Sequence, residues 1–223
     1  MNRLNVVLTG SSKGIGLALA REFVELGHAI EGCSRSGLPT EVSDFPVSAV
    51  DVSNPDQVFD WAQRLIRQGH VPDILITNAG LINDPAPLWE VPSDDVQALI
   101  ATNVLGTAYV LQAFLPAMIE RGSGMIITLS SGWGRSADAD FAPYCASKYA
   151  VEGLTSSLAR ELPANLAVVT LSPGIVRTDM LFRCWGDKAL EYELPTAWAK
   201  RAAPFILGLS TDQNGQQFTV PAP

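Results

Sequence analysis

The sequence predicts an α/β fold, namely a single Rossmann-type domain whose doubly wound parallel sheet is flanked by helices on both faces. Short runs rich in β-branched residues alternate with longer segments of helical period, which is the pattern of a parallel sheet covered by helices. A glycine-rich turn directly follows the first run. The 223 residues contain no repeat and no linker-like change of composition, so we expect one domain over residues 1–223.

The first third of the chain is predicted to contain four strands and two helices. Strands are expected at residues 4–8, 28–34, 47–52 and 74–77, and helices at 14–26 and 58–68. The second helix is marked most clearly, because Asn54 and Pro55 stand at its start, Gly69 stands at its end and its apolar residues fall on one stripe. We expect this stripe to pack on the sheet.

The alternation continues to the end of the chain. Residues 96–120 are mostly helical in pattern, 125–129 form a buried strand, 142–161 a helix and 166–171 another strand, with a short last strand near 217–220. Ligands of open α/β sheets bind at the carboxyl ends of the strands. The functional side chains are therefore expected in the connections that follow the strands.

The composition limits the classes of partner. A net charge of −8 and an isoelectric point near 4.7 oppose nonspecific binding to nucleic acid or anionic lipid. The amino terminus lacks the features of a secretory signal, and no uninterrupted apolar run approaches a membrane-spanning length, so we expect a cytoplasmic protein without membrane contact. The three cysteines and two histidines show no disulfide or metal-ligand spacing, and no metal site is predicted.

A glycine-rich turn, Thr9-Gly10-Ser11-Ser12-Lys13-Gly14-Ile15-Gly16, opens directly into the first helix. Gly10 permits a tight turn, Gly14 leaves room for a pyrophosphate against the backbone, and Gly16 lets helix and strand approach closely. The helix amino terminus offers unpaired N–H groups and the positive end of a dipole to phosphates. A tight turn without a ligand is the alternative, because a glycine pattern alone is not specific.

The spacing Gly-x-x-x-Gly-x-Gly, with Thr9 in front, resembles the glycine turn of the short-chain dehydrogenase/reductase family. Further matches are Asp51-Val52 at the third strand, Asn78-Ala79-Gly80 after the fourth strand and Asn103 within a helix. The resemblance runs from Leu4 to about Gly215, nearly the whole chain.

The resemblance implies how a nicotinamide dinucleotide is held. Asp51 and Val52 are expected to hold the adenine, Asn78-Ala79-Gly80 to pass beside the adenosine, and the Ile15 backbone to approach the cofactor. Within the glycine turn the implied contacts are Gly10, Ser12, Lys13, Gly14, Ile15 and Gly16. After the strand 166–171, Pro173-Gly174-Ile175-Val176-Arg177-Thr178 resembles the family's loop around the nicotinamide amide, so Pro173, Gly174, Ile175 and Thr178 are expected to orient the ring. A simple Pro-Gly turn is the alternative for that loop.

Charge indicates which nicotinamide cofactor is bound. An NAD site needs a carboxylate after the second strand, where this chain has Ser34 and Arg35, and Glu31 lies too early in the strand. Arg35 can hold a 2′-phosphate, with Lys13 as a second cation and Ser34 as a hydroxyl donor. The prediction is therefore NADP(H), although solvated surface charges are the alternative for Lys13 and Arg35.

Tyr144 and Lys148 are four residues apart and so share one face of a predicted helix. A phenol titrates near 10 in water, and a nearby ammonium is expected to lower that pKa so that Tyr144 can exchange a proton with a substrate oxygen. By chance alone such pairs are common on helix surfaces. The family resemblance implies that both residues are catalytic and that both contact the cofactor.

Two more catalytic residues follow from the resemblance. Ser131 precedes Tyr144 by thirteen residues, the family's separation, and its hydroxyl can donate to the substrate carbonyl oxygen as negative charge develops. Asn103 is expected to hold a water that links Lys148 to solvent. Considered without the resemblance, Ser131 is a polar strand end and Asn103 a residue of poor helix propensity.

The substrate is less well determined. The family places a variable lid at about 179–195, and Leu81, Ile82, Trp133 and Phe141 predict a pocket for an apolar or aromatic carbonyl or secondary alcohol. Arg135, Asp138 and Asp140 are candidates for substrate contact, with a solvated loop face as the alternative. The tail Val220-Pro221-Ala222-Pro223 departs from the family pattern, and relatives imply a homodimer or homotetramer.

The predicted function is an NADPH-dependent oxidoreductase that moves a hydride between nicotinamide and a carbonyl carbon. A protein that binds NADPH without turnover is the alternative, and the complete set of Asn103, Ser131, Tyr144 and Lys148 favours catalysis. A methyltransferase would leave Lys13, Arg35 and the Tyr–Lys pair unexplained.

Overall fold

The computed structural model describes residues 2–37 and 44–222, so that Pro223 of the unusual tail lies outside the described part. Its strands are β1 (Asn5–Thr9), β2 (Ala29–Ser34), β3 (Val47–Ala49), β4 (Ile74–Thr77), β5 (Gly124–Leu129), β6 (Leu166–Ser172) and β7 (Gln217–Thr219). They form one sheet in the order β3-β2-β1-β4-β5-β6-β7, and every neighbouring pair is parallel. The predicted fold class is confirmed.

Helices cover the sheet on both faces. They are α1 (Gly14–Glu25), α2 (Pro55–Arg67), α3 (Ser93–Ile100), α4 (Gly106–Arg121), α5 (Ala142–Glu161), α6 (Asp179–Trp185) and α7 (Pro195–Leu207). One apolar core lies between the sheet and α1 and α7, around the fully buried Phe23 and Trp198. The other lies between the sheet and α2 and α4, around Trp61 and Phe114, whose rings meet edge to face at 5.2 Å. Burial of each of these large side chains contributes roughly 3 kcal/mol to the stability of the folded state.

The strand order reverses between β1 and β4. From β1 the chain builds β2 and β3 on one side and then crosses to β4 on the other, so the carboxyl ends of β1 and β4 border a crevice. Ligands of doubly wound sheets bind at this kind of crevice. The glycine turn after β1 and Asn78-Ala79-Gly80 after β4 both lie at its edge.

Two predicted element boundaries differ from the structure around residues 50–58. β3 ends at Ala49, before the predicted position 52, because the Asp51 carboxylate accepts hydrogen bonds from the Ser53 amide (2.9 Å) and hydroxyl (2.7 Å) and turns the chain. α2 begins at Pro55, because the Asn54 side chain caps it by accepting from the Gln57 amide at 3.2 Å. The sequence signals Asn54 and Pro55 mark the observed start, whereas the predicted range, from Val58, began three residues late.

α3 and α4 are joined by a π-helical turn, Ala101–Leu105, into one helix over Ser93–Arg121. This confirms the helix predicted at 96–120. By length and composition it is apolar enough to cross a membrane, although Thr102, Asn103 and Gln112 interrupt its apolar residues. Its buried residues, including Val110, Phe114 and Met118, pack against the sheet, as in the core helix of a soluble protein.

Helix α7 was not predicted from the sequence. It follows the predicted lid and packs against α1, where Trp198, Ala199, Ala202, Ala203 and Ile206 are buried. Small alanine side chains let the two helices approach closely. The pattern was missed because one proline, Pro195, begins the helix and another, Pro204, lies inside it, where proline usually argues against a helix.

Candidate active site

The glycine turn has the geometry of a phosphate cradle. Gly10 and Gly14 have φ angles of +70° and +56°, which favour glycine. A Cβ atom at Gly16 would lie 2.2 Å from the Gly10 carbonyl oxygen, so no larger residue fits. Lys13 is the N-cap of α1 and makes no side-chain cap, which leaves the first amides of the helix available. Ser12 and Ile15 are half-buried beside them.

Thr9 and Asn78 hold the glycine turn in place through hydrogen bonds. The Thr9 hydroxyl accepts from the amides of Asn78 and Ala79, each at 3.0 Å, and the Asn78 side chain donates to the Thr9 and Gly10 carbonyls at 2.8 and 3.1 Å. Asn78 was predicted as a cofactor contact, and the structure gives its amide a bracing role. Sequence reasoning did not identify the part that Thr9 plays.

The predicted 2′-phosphate contacts lie at the end of β2 and the start of α1. Arg35 is exposed immediately after Ser34, whose buried hydroxyl has no partner in the described residues. Lys13 is exposed, with its ammonium 4.0 Å from the Asp179 carboxylate. Glu31 pairs with Val7 in the middle of the sheet and is influenced electrostatically by His70 and Arg64, so it stands away from this corner. A buried hydroxyl without a partner in the described residues, next to the exposed Arg35, fits a phosphate.

Asp51 and Val52 lie after β3. The Asp51 carboxylate is oriented by its hydrogen bonds with Ser53. The backbone amide of Asp51 donates to the Gln57 side chain at 2.9 Å. Val52 is buried under Gly106, where a Cβ would lie 2.8 Å from the Val52 side chain. The fixed geometry is compatible with their predicted position beside an adenine.

Tyr144 and Lys148 share one face of α5, as predicted. Both are buried, and the Lys148 ammonium lies 5.7 Å from the Tyr144 ring centre. That ammonium donates to the Leu129 carbonyl at the end of β5 (2.9 Å). Gly80 lies over both Lys148 and Asn103, since a Cβ there would be 3.8 Å from the ammonium and 3.4 Å from the Asn103 carbonyl oxygen.

The expected lowering of the Tyr144 pKa is wrong for the protein without cofactor. Burial raises the pKa of Tyr144 to about 12, and a hydrogen bond with Ser131 acts in the opposite direction. Burial also lowers the pKa of Lys148 to about 8, while Glu152 acts in the opposite direction. The reason is desolvation, which disfavours phenolate and ammonium alike and which the residue spacing does not reveal.

Ser131 ends β5 and begins the short 3₁₀ turn Gly132–Gly134. Its hydroxyl oxygen accepts from the Trp133 amide at 3.1 Å, so the hydroxyl proton is available to a substrate. Ser131 lies beside the Tyr144 phenol. The structure therefore brings together the two groups predicted to face a substrate oxygen.

Asn103 lies on the π-helical turn and is 1% exposed. Its side chain accepts from the Leu81 amide (2.7 Å) and donates to the Leu81 carbonyl (2.9 Å) and the Ser147 hydroxyl (2.9 Å). Ser147 in turn donates to the Tyr144 carbonyl at 2.7 Å. Asn103 thus joins the β4 loop to the helix of Tyr144, and single π turns are frequent at functional sites. Ser147 was not singled out from the sequence.

The loop after β6 faces the glycine turn. Gly174 has a φ angle of +76°, Ile175 is exposed, and the Pro173 carbonyl accepts from the Trp198 ring N–H at 2.8 Å. Thr178 caps α6 by accepting from the Leu181 amide (3.2 Å), and its methyl group lies 3.6 Å from where a Gly14 Cβ would stand. The two loops that were predicted to hold the cofactor therefore meet. Trp198, which fixes the Pro173 carbonyl, was missed.

An aromatic pocket adjoins Tyr144. The Trp133 and Phe141 rings stack at 4.7 Å, and Trp133 meets Tyr144 edge to face at 5.9 Å. Ile82 and Leu99 pack against Tyr144 and also line an adjacent cavity of about 170 Å³. This cavity is more polar than predicted, because Asn83, Asp84, Asp95 and Arg183 also line it, with Arg183 and Asp84 paired at 3.3 Å.

Asn83 links the loop after β4 to the residue that precedes Phe141. Its side-chain amide donates to the Asp140 carbonyl at 2.9 Å, while its buried Oδ1 atom has no partner in the described residues. Asp140, at φ +66°, is the one non-glycine residue with positive φ in the described ranges, and Phe141 follows directly. Asn83 therefore sets the position of the Phe141 ring. No signal in the sequence pairs these two loops.

Of the three charged candidates for substrate contact, Asp138 and Asp140 are exposed, as the alternative of a solvated loop face predicted, and Arg135 is not. Arg135 was considered either a substrate contact or a solvated residue, and neither is observed, because its guanidinium binds Glu152 at 3.0 Å and Thr170 at 3.1 Å. Asp138 accepts from the Ala139 amide, and Asp138 and Asp140 are exposed. Within the described residues, no cluster of three or more His, Cys, Asp or Glu side chains is placed to hold a metal.

Comparison with known proteins identifies the family. The family model for short chain dehydrogenases matches residues 4–188. The chain is 43% identical over 223 residues to an NADPH-dependent pterin aldehyde reductase of Arabidopsis thaliana, covering 96% of this chain and 92% of the relative. It is 35% identical to a 3-oxoacyl-acyl-carrier-protein reductase of Chlamydia pneumoniae, covering 87% of this chain and 80% of that one.

Solved structures share the architecture. A short-chain dehydrogenase structure from Shigella flexneri 2a, complexed with NADP, superposes with a TM-score of 0.85 at 25% identity, covering 98% of this chain and 97% of the other. The aldohexose dehydrogenase of Thermoplasma acidophilum superposes with a TM-score of 0.85 at 24% identity, covering 99% and 96% of the two chains.

Proposed function

Because the chain belongs to the short-chain dehydrogenase/reductase family of oxidoreductases, we propose that it is an NADPH-dependent reductase of aromatic heterocyclic aldehydes, with Tyr144 as the proton donor. The observation that carries the proposal is that the buried Tyr144 and Lys148 lie together, with the half-buried Ser131 hydrogen-bonded to Tyr144 and the stacked Trp133 and Phe141 rings beside it. We propose a cytoplasmic location and a lid formed by residues 179–195.

NADP(H) fits the residues at the crevice. The glycine cradle and the first amides of α1 would hold the pyrophosphate, and Arg35, Lys13 and the unpaired Ser34 hydroxyl would hold the 2′-phosphate. Ile175 and Thr178 would border the nicotinamide. When bound, the reduced cofactor supplies a hydride to a carbonyl carbon. The 43% identical relative is itself described as NADPH-dependent, which supports this cofactor.

The chain's own residues handle the proton. Reduction of an aldehyde to an alcohol adds a hydride to carbon and a proton to oxygen. Because burial raises the pKa of Tyr144 to about 12, the phenol holds its proton at neutral pH and can deliver it to that oxygen. The Ser131 hydroxyl is placed to donate a hydrogen bond to the same oxygen, which stabilises the developing negative charge. A protonated tyrosine favours the direction of reduction.

The pocket supports a flat aromatic substrate with polar edges. The half-buried Trp133 ring stacks on Phe141 and supplies an aromatic wall, while Asn83, Asp84 and Arg183 supply polar groups along the adjacent cavity. A pterin combines a flat ring with amide and amino donors, and the Arabidopsis relative reduces pterin aldehydes according to its name. The substrate class is therefore narrower than the apolar or aromatic carbonyl expected from sequence.

The test is a turnover assay with matched variants. The purified protein is mixed with NADPH or NADH and with pterin-6-aldehyde, benzaldehyde or a small charged ketone, and loss of nicotinamide absorbance is followed. We expect NADPH and the pterin aldehyde to be preferred, and Tyr144→Phe to reduce kcat by about 10²-fold or more while still binding NADPH. Tight NADPH binding without turnover of any carbonyl would instead support a binding protein.

A further inference from the structure

Arg135 connects the Ser131 loop to helix α5. It directly follows the 3₁₀ turn that begins at Ser131, and its Nε atom donates to Glu152 Oε1 at 3.0 Å. Glu152 lies four residues after Lys148, on the same face of α5. The ion pair thus ties the strand end that carries Ser131 to the helix that carries Tyr144 and Lys148.

The Glu152 carboxylate is buried and fully partnered. Its residue is 7% exposed, and its second oxygen, Oε2, accepts from the Thr170 hydroxyl of β6 at 2.7 Å. Thr170 Oγ1 also accepts from Arg135 Nη2 at 3.1 Å, so the three side chains form a closed ring of hydrogen bonds. A buried carboxylate is strongly unfavourable without such partners. The arrangement therefore holds a negative charge at a fixed place below the catalytic site.

Few charged groups surround Lys148. In the described residues, Tyr144 and Glu152 face it from its own helix, and Arg135 binds Glu152 from the loop after β5. The groups from other elements are neutral, namely Asn103 on the π turn and the Leu129 carbonyl of β5. Glu152 is thus the negative charge closest to a buried ammonium, and Arg135 is the cation that partly cancels it.

We propose that Glu152, held by Arg135 and Thr170, is a positioning residue that keeps Lys148 protonated and fixes the Ser131 loop against α5. The inference rests on the proposed function for its catalytic consequence. Burial alone lowers the Lys148 pKa, and Glu152 counteracts this effect, so the pair decides up to which pH Lys148 remains a cation. The two members of the pair must then act on Lys148 in opposite directions.

The first test needs no turnover. The chain has four lysines, so protein labelled with carbon-13 at the lysine ε-carbon gives a simple NMR spectrum, and Lys148→Met assigns the Lys148 signal. In the cofactor-free protein, Glu152→Gln is expected to lower the Lys148 titration midpoint by about one pH unit. Arg135→Met removes a cation and is expected to raise it. Arg135→Lys preserves the charges and should leave it close to the wild-type value.

The second test uses reductase activity. If Lys148 must be a cation, kcat/KM falls as pH rises through the Lys148 pKa, so this alkaline limb should move down in Glu152→Gln and up in Arg135→Met. Circular dichroism and thermal melts show whether each variant folds. If Glu152→Gln does not fold, Arg135→Met and Arg135→Lys are compared with the wild type instead.

The outcomes separate this inference from the proposed function. Opposite midpoint shifts in the two charge variants support it even if the chain reduces none of the carbonyls tried, in which case only the proposed function fails. Shifts in the same direction, or an unchanged midpoint in both variants, overturn it and leave the ion pair a purely structural link. Opposite midpoint shifts without any movement of the alkaline limb show that Lys148 charge does not limit reduction, and they overturn the catalytic part.

Discussion

At the scale of single residues, the site depends on burial as much as on residue type. Tyr144 and Lys148 occupy the positions that their spacing predicted, yet burial moves the pKa of the phenol up and that of the ammonium down. The spacing follows from helix geometry, which is local, whereas desolvation depends on Trp133, Phe141 and other residues that the whole fold brings together. The sequence could therefore identify the pair but not its protonation.

The 2′-phosphate corner gives a residue-scale prediction. Arg35→Ser and Lys13→Ser should each weaken NADPH binding by about 10- to 100-fold, because each removes a charge-assisted contact, and should leave NADH binding unchanged. Fluorescence titration of the purified protein with both cofactors measures this.

Arg67 provides the control for those variants. It is exposed at the end of α2, which leads into the amino end of β4, whereas the cofactor loops follow the carboxyl ends of the strands. Arg67→Ser should therefore leave the dissociation constants of NADPH and NADH unchanged. An equal loss of NADPH and NADH affinity in Arg35→Ser would contradict the role assigned to that residue.

At the scale of elements, contacts between distant segments hold the cofactor and substrate loops. Trp198 of α7 fixes Pro173, Asn83 fixes Asp140, and Glu152 fixes Arg135, across 25, 57 and 17 residues of chain. Residue patterns reveal a helix or a glycine turn because these depend on neighbours in the sequence. They do not reveal which loop a distant tryptophan or asparagine supports, and so these residues were missed.

Trp198→Phe tests the support of the nicotinamide loop. The change keeps most of the buried ring but leaves the Pro173 carbonyl without its 2.8 Å partner, so stability should fall by roughly 1–3 kcal/mol and the NADPH dissociation constant should rise several-fold. Urea unfolding and NADPH titration measure the two effects.

Trp61→Phe is the matched control. Trp61 is also buried, in the opposite core, and its ring N–H has no partner in the described residues. In this variant the free energy of unfolding should fall only through lost packing contacts, and the NADPH dissociation constant should equal that of the wild type. A similar loss of cofactor affinity in both variants would argue against a specific role for the Trp198 hydrogen bond.

At the scale of the whole molecule, an apolar groove on the outer face of α4 and α5 is the feature most suited to assembly. Its volume is about 240 Å³, and its lining residues are Ala108, Leu111, Gln112, Leu115, Leu154, Ser157, Leu158 and Glu161. The homodimer or homotetramer expected from the sequence stays a prediction. We expect a dimer with this face at the interface, because two copies would cover each other's leucines.

Leu158→Asp should convert that oligomer to a monomer, since it buries a charge in the interface. Size-exclusion chromatography with light scattering measures the mass. Trp89, 84% exposed on another surface, provides the comparison, and Trp89→Ser should leave the mass unchanged. A monomer in Trp89→Ser but not in Leu158→Asp would place the interface elsewhere.

The π turn at Asn103 has a consequence for how this chain can vary. A π turn accommodates one more residue than an α turn, so the apolar stripe of α4 is rotated relative to that of α3 by about one residue. A one-residue deletion here would restore a regular helix. It would also carry Asn103 away from Leu81 and Ser147, or turn Phe114 and Met118 off the sheet. Substitutions can therefore accumulate along Ser93–Arg121 more easily than changes of length, so the number of residues within this helix is itself a constraint on the site.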